Sequence, residues 1–195
     1  MAKPFRSLLD KSAVTPDQKK LILQMAAEMR KFEIGLLWQR SLFFWGFIGS
    51  AFIAYAAYDK SGTDDLRALI ASFGIVCSVA WTLQNRGSKY WQEAWEQKVK
   101  AVETDVLGVA LFSNIEPREE KGFWGARRFS VSNLLTALSD FTVLVWVALS
   151  IMTVASLVEN NRLWLAAVPV AALVAAIIYS IIMGFRTRKC DKLSS

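Results

Sequence analysis

Four long stretches without a charged residue constrain this chain more than any other feature of its sequence. They are residues 41–58, 68–85, 141–158 and 163–185, which are 18, 18, 18 and 23 residues long. A helix needs about 20 apolar residues to cross a hydrocarbon core of roughly 30 Å. In lipid only helices and closed barrels satisfy their backbone groups, and these stretches lack the alternation of barrel strands. The sequence therefore predicts an all-α polytopic membrane protein with four transmembrane helices.

The positions of the cationic residues predict which side of the membrane each loop occupies. Of the 23 Lys and Arg residues, 20 lie in residues 1–40, 86–128 and 186–195, and three lie in the two short loops between them. Because Lys and Arg accumulate on the cytoplasmic side, we expect both termini and residues 86–128 in the cytoplasm. The net charge of +6 follows from this topology, so we expect the lipid bilayer, and no nucleic acid, as a partner.

These two patterns divide the chain into nine segments. In order they are a cytoplasmic N-terminal arm with an amphipathic helix (1–40), span 1 (41–58), an outer loop (59–67), span 2 (68–85), a cytoplasmic helix and linker (86–128), span 3 (133–158), an outer loop (159–162), span 4 (163–185) and a cytoplasmic tail (186–195).

Spans 1 and 2 are predicted to continue as helices into the cytoplasm. Thr15-Pro16-Asp17 is a typical helix start, and an apolar stripe follows it at Leu21, Met25, Met29, Phe32 and Leu36. We expect one helix over residues 16–58. A second stripe follows span 2 and consists of Trp91, Trp95, Val99, Val102, Val106 and Val109. Two such helices leaving one short turn are expected to pack stripe against stripe as a cytoplasmic hairpin.

Small residues recur at four-residue spacing in three spans and are candidates for helix packing. They are Gly46, Ser50 and Ala54 in span 1, Gly74 and Ser78 in span 2, and Ala167, Ala171 and Ala175 in span 4. Small side chains let membrane helices approach closely. Each stripe could pack within one subunit or face another subunit.

Asp140 is the one acidic residue close to an apolar stretch, and Arg40 and Arg86 lie at the same predicted inner level. If span 3 begins near Asn133, the acid lies inside the membrane, where it would mark an ion or proton path. If span 3 begins at Ser139, the acid lies in the first helical turn and is favoured by the helix dipole. The sequence leaves both interpretations open for this candidate polar site.

The segment that follows span 2 is dense in aromatic and basic residues. Lys89, Tyr90, Trp91 and Trp95 are predicted to form an interfacial collar that fixes the angle at which the helix leaves the membrane. The alternative is a surface for a ligand or a lipid headgroup, built from Arg86 with Lys89 and the two tryptophans.

The residue types argue against an enzyme. The chain has no histidine and two cysteines, Cys77 and Cys190. Imidazole-based triads and metal sites are therefore absent from the sequence, and two thiols are too few for a structural zinc site. Neither a phosphate-binding glycine loop nor a nucleophile elbow occurs. We expect no catalytic residue, no metal and no cofactor.

Residues 81–105 resemble a segment of a known family. The run WTLQNRGSKYWQE at residues 81–93, continued by Trp95-Glu96 and Val102-Glu103, is similar to the RipA-type family of octameric bacterial inner-membrane proteins. This resemblance implies a homo-oligomer, an octamer by the family's description, in the cytoplasmic membrane. It also implies a role in growth inside a host or under stress, and it carries no catalytic residues.

Three functions are compatible with this sequence. The first is a homo-oligomeric membrane scaffold or assembly and stress-adaptation factor whose cytoplasmic hairpins pack between subunits. The second is an oligomeric pore or channel, and the third is a sensor or effector that is signalled through its hairpin. A pore needs a polar lining ring. Since the spans offer little beyond Asp140 and a few hydroxyls, the sequence favours the scaffold.

Overall fold

The computed structural model describes residues 15–58, 64–107 and 130–193. Four helices make up these ranges: α1 (Pro16–Tyr58), α2 (Asp64–Leu107), α3 (Val131–Glu159) and α4 (Leu163–Leu193). The described ranges contain no strand, which confirms the all-helical class. Each helix is long and apolar enough to cross a membrane, so the four predicted spans are confirmed as candidate spans. The predicted segments at 1–14, 59–63 and 108–129 lie outside the described residues.

Helix α1 begins at the predicted start signal. The Thr15 hydroxyl accepts a hydrogen bond from the backbone N–H of Gln18 at 3.3 Å. In return, the side-chain oxygen of Gln18 accepts one from the backbone N–H of Thr15 at 2.9 Å. This reciprocal pair is a capping box, which satisfies two donors that a helix start leaves open. From Pro16 the helix runs for 43 residues without interruption, which confirms the prediction of one helix over 16–58.

A short turn joins α3 to α4. The amides of Arg162 and Asn161 donate to the carbonyls of Leu157 and Val158 at 2.8 and 3.1 Å, and Asn161 has a φ of 58°. These two bonds around a left-handed residue form a Schellman motif, a position that favours Gly or Asn. The turn closes α3 at Glu159 and lets α4 return within four residues.

The described helices divide into two compact units. Of the described residues, 15–39, 86–107 and 130–132 form the first, here called the extension unit. Residues 40–58, 64–85 and 133–193 form the second, here called the four-helix unit, which holds the predicted spans. Helices α1 and α2 each contribute to both units.

Trp146 of α3 is the centre of the four-helix unit and is fully buried. Its indole stacks on Phe52 at 4.5 Å between ring centroids and meets Tyr55 edge to face at 6.0 Å. Ala71 and Ile75 of α2 and Ala176 of α4 belong to the same core cluster, so all four helices contribute to it. A second cluster joins Ala68, Leu157, Leu165 and Ala166, and a third joins Ile48, Cys77 and Trp81.

In the extension unit, the predicted packing of the two apolar stripes is wrong for α1. Ala26 and Leu37 are the buried apolar residues of α1 in this unit, whereas Leu21, Met25, Met29 and Phe32 are exposed. The stripe of α2 behaves as expected in part, because its members Val99 and Val102 are buried and Trp91 is exposed. The reason is that α1 is apolar on two faces, and periodicity alone does not select the face that packs.

Candidate functional site

The hydroxyl of Tyr55 is the centre of a buried polar cluster in the four-helix unit. It lies 2.8 Å from Thr153 Oγ1 and 3.1 Å from the Leu149 carbonyl oxygen, and it accepts a hydrogen bond from Arg67 Nη2 at 3.1 Å. The Arg67 guanidinium also lies over the Tyr55 ring at 4.9 Å. Tyr55 is near the end of α1, Arg67 near the start of α2 and Thr153 near the end of α3. The cluster therefore ties three helices together at one end of the unit.

Acidic side chains in the first turn of α2 extend this cluster toward the turn between α3 and α4. Asp64 forms an ion pair with Arg67 at 3.9 Å and accepts a hydrogen bond from Asn160 at 3.0 Å. Asp65 pairs with Arg162 at 2.6 Å. The acids also lie at the N-terminal end of the helix dipole, which favours negative charge. These contacts link the start of α2 to the turn between α3 and α4.

Together these groups form a structural clamp, which is centred on Tyr55, Arg67 and Thr153 and extended by Asp64, Asp65, Asn160 and Arg162. Arg67 is largely buried and has a carboxylate, a phenol oxygen and an aromatic face as neighbours. Charge-assisted hydrogen bonds and cation–π contacts are worth more when they are shielded from water. The clamp can fix the relative position of three helices, and its exposed member, the pair between Arg162 and Asp65, is expected to add little.

Polar side chains also occur deeper inside the four-helix unit, mainly on α2. Asn85 donates from its amide to the Leu135 carbonyl at 3.2 Å, and Trp81 donates from its indole to the Ser41 hydroxyl at 3.4 Å. Within the described residues, Ser78 Oγ, Thr82 Oγ1 and Asn85 Oδ1 are buried without a hydrogen-bond partner. Buried polar atoms of this kind are commonly satisfied by internal water.

Arg40 and Asp140 of the predicted polar site lie in the four-helix unit, and Arg86 lies in the extension unit. Asp140 is partly buried, whereas both arginines are exposed. Since α3 begins at Val131, Asp140 is not in its first turn, which removes the helix-dipole interpretation of this acid. A functional polar site made by the three residues stays a prediction.

The predicted collar lies on the part of α2 that belongs to the extension unit. Lys89 pairs with Glu93 at 3.7 Å, and Tyr90 meets Trp91 edge to face at 5.6 Å. The Trp95 ring carries the Lys98 ammonium at 3.9 Å. Tyr90 and Trp91 are exposed, which suits both predicted roles, an interfacial collar and a headgroup surface.

The three candidate packing stripes differ in burial. Gly74 and Ser78 of α2 are buried, and a Cβ atom added to Gly74 would overlap the Trp146 indole. Gly46 and Ser50 of α1 are exposed and Ala54 is partly buried. The α4 stripe is exposed throughout and consists of Ala167, Ala171 and Ala175. Only the α2 stripe therefore packs within the subunit over its full length, and the other two remain candidates for contact with another subunit.

The sequence analysis did not identify the clamp around Tyr55. It placed Tyr55 within span 1 (41–58) and Arg67 in an outer loop (59–67), but α2 already begins at Asp64. The sequence did contain a signal for the contact between Tyr55 and Arg67. A short segment joins α1 to α2, and such a connection brings the last residues of one helix close to the first residues of the next. Thr153 gave no such signal, since its partner comes from a helix distant in sequence.

Four apolar helices around an aromatic core, with polar groups turned inward, define a multi-pass α-helical membrane protein. A family model described as the octameric membrane protein family (8xMP) matches residues 20–157, more than two thirds of the chain. The chain therefore belongs to the octameric membrane protein family, which confirms the resemblance seen in residues 81–105. No curated protein and no solved structure significantly matches it.

Proposed function

We propose that this chain is a homo-oligomeric scaffold or assembly factor of the bacterial cytoplasmic membrane, without catalytic activity of its own. Both termini and residues 86–128 are on the cytoplasmic side in this proposal, and the role in stress adaptation follows from the family resemblance. The match to an octameric membrane protein family supports self-association. The distribution of Lys and Arg supports the orientation.

The proposal depends mainly on the location of the polar side chains in the four-helix unit. Most of the hydroxyl and amide residues of the spans are buried inside the subunit: Ser41, Ser72, Ser78, Asn85, Ser139, Thr142, Ser150 and Thr153. The exposed faces carry large apolar residues such as Phe43, Ile53, Leu144 and Ile151. A pore formed between subunits needs a polar lining on the outer surface of each subunit. Apolar outer faces suit contacts with lipid and with other subunits instead.

Assembly is tested by native mass spectrometry of the detergent-solubilised full chain. We expect an oligomer, with an octamer as the stoichiometry that the family description gives. Deletion of residues 15–29 is expected to shift the population to smaller species, because it removes the first turns of α1 from the extension unit. A monomeric wild-type chain would contradict the scaffold proposal, and unchanged assembly of the deletion variant would remove the extension unit from it.

The competing pore hypothesis is tested separately by conductance in planar bilayers. We expect no current from the purified wild-type protein or from the Asp140→Asn variant. A current in the wild type that changes in Asp140→Asn would support an ion path and overturn the purely structural role. Peptidoglycan, lipid and nucleotide hydrolysis assays on the same preparation are expected to show no turnover.

A further inference from the structure

The exposed apolar stripe of α1 is the feature of this chain that neither the fold nor the proposed function uses. Leu21, Met25 and Phe32 are 55%, 58% and 57% exposed, and Met29 is also exposed. Together with Leu36 they repeat at spacings of four and three residues. Such a spacing places the side chains on one face of a helix, in the pattern by which two helices interlock. We call this face the exposed stripe.

A second face of α1, about 110° around the helix from the exposed stripe, already has a packing role within the subunit. Ala26 and Leu37, which are 3% exposed each, belong to that face. Because this face packs within the extension unit, the exposed stripe is left on the surface of that unit. The stripe therefore needs a second surface to cover it, since apolar patches of this kind on a soluble surface mark interaction sites.

Lipid is a poor candidate to cover the exposed stripe. Residues 16–40 contain eight charged side chains, and the uncharged stretch begins only at Ser41. Helix α1 has 43 residues, about 65 Å at 1.5 Å per residue, which is twice the thickness of a hydrocarbon core. The part of α1 that carries the stripe must therefore extend beyond the hydrocarbon region.

The features of the stripe suit a second copy of the same helix. A groove of about 750 Å³ runs along it, with Met25, Met29, Phe32 and Leu36 among its lining residues. Among the described residues, nothing lies within 4 Å of the position of a Cβ atom on Gly35, so another backbone has room to approach there. Glu28 and Lys31 also line the groove, so a partner helix meets charged as well as apolar side chains there.

We propose that the exposed stripe of α1 is a subunit interface, covered in the assembly by a second copy of this chain. The proposal rests on the homo-oligomeric function proposed above, and it names the face that the oligomer uses outside the lipid. The description of the matching family as octameric is the reason for choosing this occupant over a foreign protein.

The test combines Met25→Glu with Phe32→Glu in the full chain and compares it with Gln24→Glu. Gln24 is exposed on the same turn but lies 100° around the helix from Met25, so this control adds a charge beside the stripe rather than on it. Native mass spectrometry is expected to show loss of the wild-type oligomer for the double variant and its retention for Gln24→Glu. Far-UV circular dichroism checks that helix content is unchanged.

Cross-linking in membranes covers the case in which the double variant does not fold. Phe32→Cys and Gln24→Cys are placed in a chain that lacks Cys77 and Cys190, and both are oxidised in isolated membranes. We expect a disulfide-linked dimer for Phe32→Cys and much less for Gln24→Cys. An intact oligomer in the double variant, or no cross-link at residue 32, would overturn the interface while the scaffold proposal stands. A monomeric wild-type chain would overturn both.

Discussion

Two residues, Gly74 and Tyr55, govern how the helices of the four-helix unit pack against one another. Gly74 leaves room for the Trp146 indole against the backbone of α2. The Tyr55 hydroxyl joins α1, α2 and α3 through Arg67 and Thr153. In lipid the drive to bury apolar surface between helices is weak, so close packing and polar contacts carry more of the stability.

We expect Gly74→Ala to destabilise the protein by about 1–3 kcal/mol, because the added methyl group forces the indole or the helix to shift. Gly49→Ala is the matched control, since no atom of the part of the chain that the structure describes lies within 4 Å of the position of its Cβ atom. Thermal unfolding in detergent, followed by tryptophan fluorescence, measures both variants. Equal midpoints for the two variants would show that Trp146 does not need the space at Gly74.

We expect Tyr55→Phe to lower the stability by about 1–3 kcal/mol, because the largely buried Arg67 side chain and the buried Thr153 side chain each lose a polar partner. Tyr179→Phe removes a hydroxyl from an exposed tyrosine of α4 and is the control. The same unfolding measurement compares them. A clamp that contributes nothing would leave the Tyr55→Phe midpoint at the wild-type value.

For a single helix, the sequence predicts where the helix begins better than it predicts which of its faces packs against the rest of the protein. Thr15, Pro16 and Gln18 are adjacent in sequence, so the start of α1 could be predicted and its capping bonds are observed. The packed face of α1 could not be predicted, because apolar residues occupy both its exposed stripe and the face of Ala26 and Leu37.

Thr15→Ala is expected to loosen the first turn of α1, since removal of an N-cap hydroxyl costs about 1 kcal/mol. Backbone amides of residues 17–19 should then exchange with deuterium about fivefold faster, as measured by mass spectrometry of peptic peptides. Thr15→Ser keeps the hydroxyl and should exchange like the wild type. Equal exchange in all three proteins would mean that the capping box does not hold the helix start.

At the scale of the whole molecule, the predicted orientation depends on 20 cationic residues on one side of the membrane and three on the other. A phosphatase that is active only outside the cytoplasm should be inactive when fused after Leu107 and active when fused after Asn161. A fluorescent protein that folds only in the cytoplasm should give the reverse pattern. Activity of the phosphatase after Leu107 would contradict the topology and, with it, the cytoplasmic location of the extension unit.

The sequence by itself determined the number of spans, the helical class and the family, because each depends on hydropathy or on a short local run of residues. The length of an apolar stretch and the residues of a capping box can both be recognised from adjacent residues in the sequence, without knowing which residues are neighbours in the fold. Tertiary structure alone decided that Tyr55 joins Arg67 and Thr153, that Gly74 receives Trp146, and that the exposed stripe of α1 faces outward. These are contacts between residues far apart in the chain or choices between two apolar faces. Their outcome depends on which surfaces fit together, and local periodicity does not encode that fit.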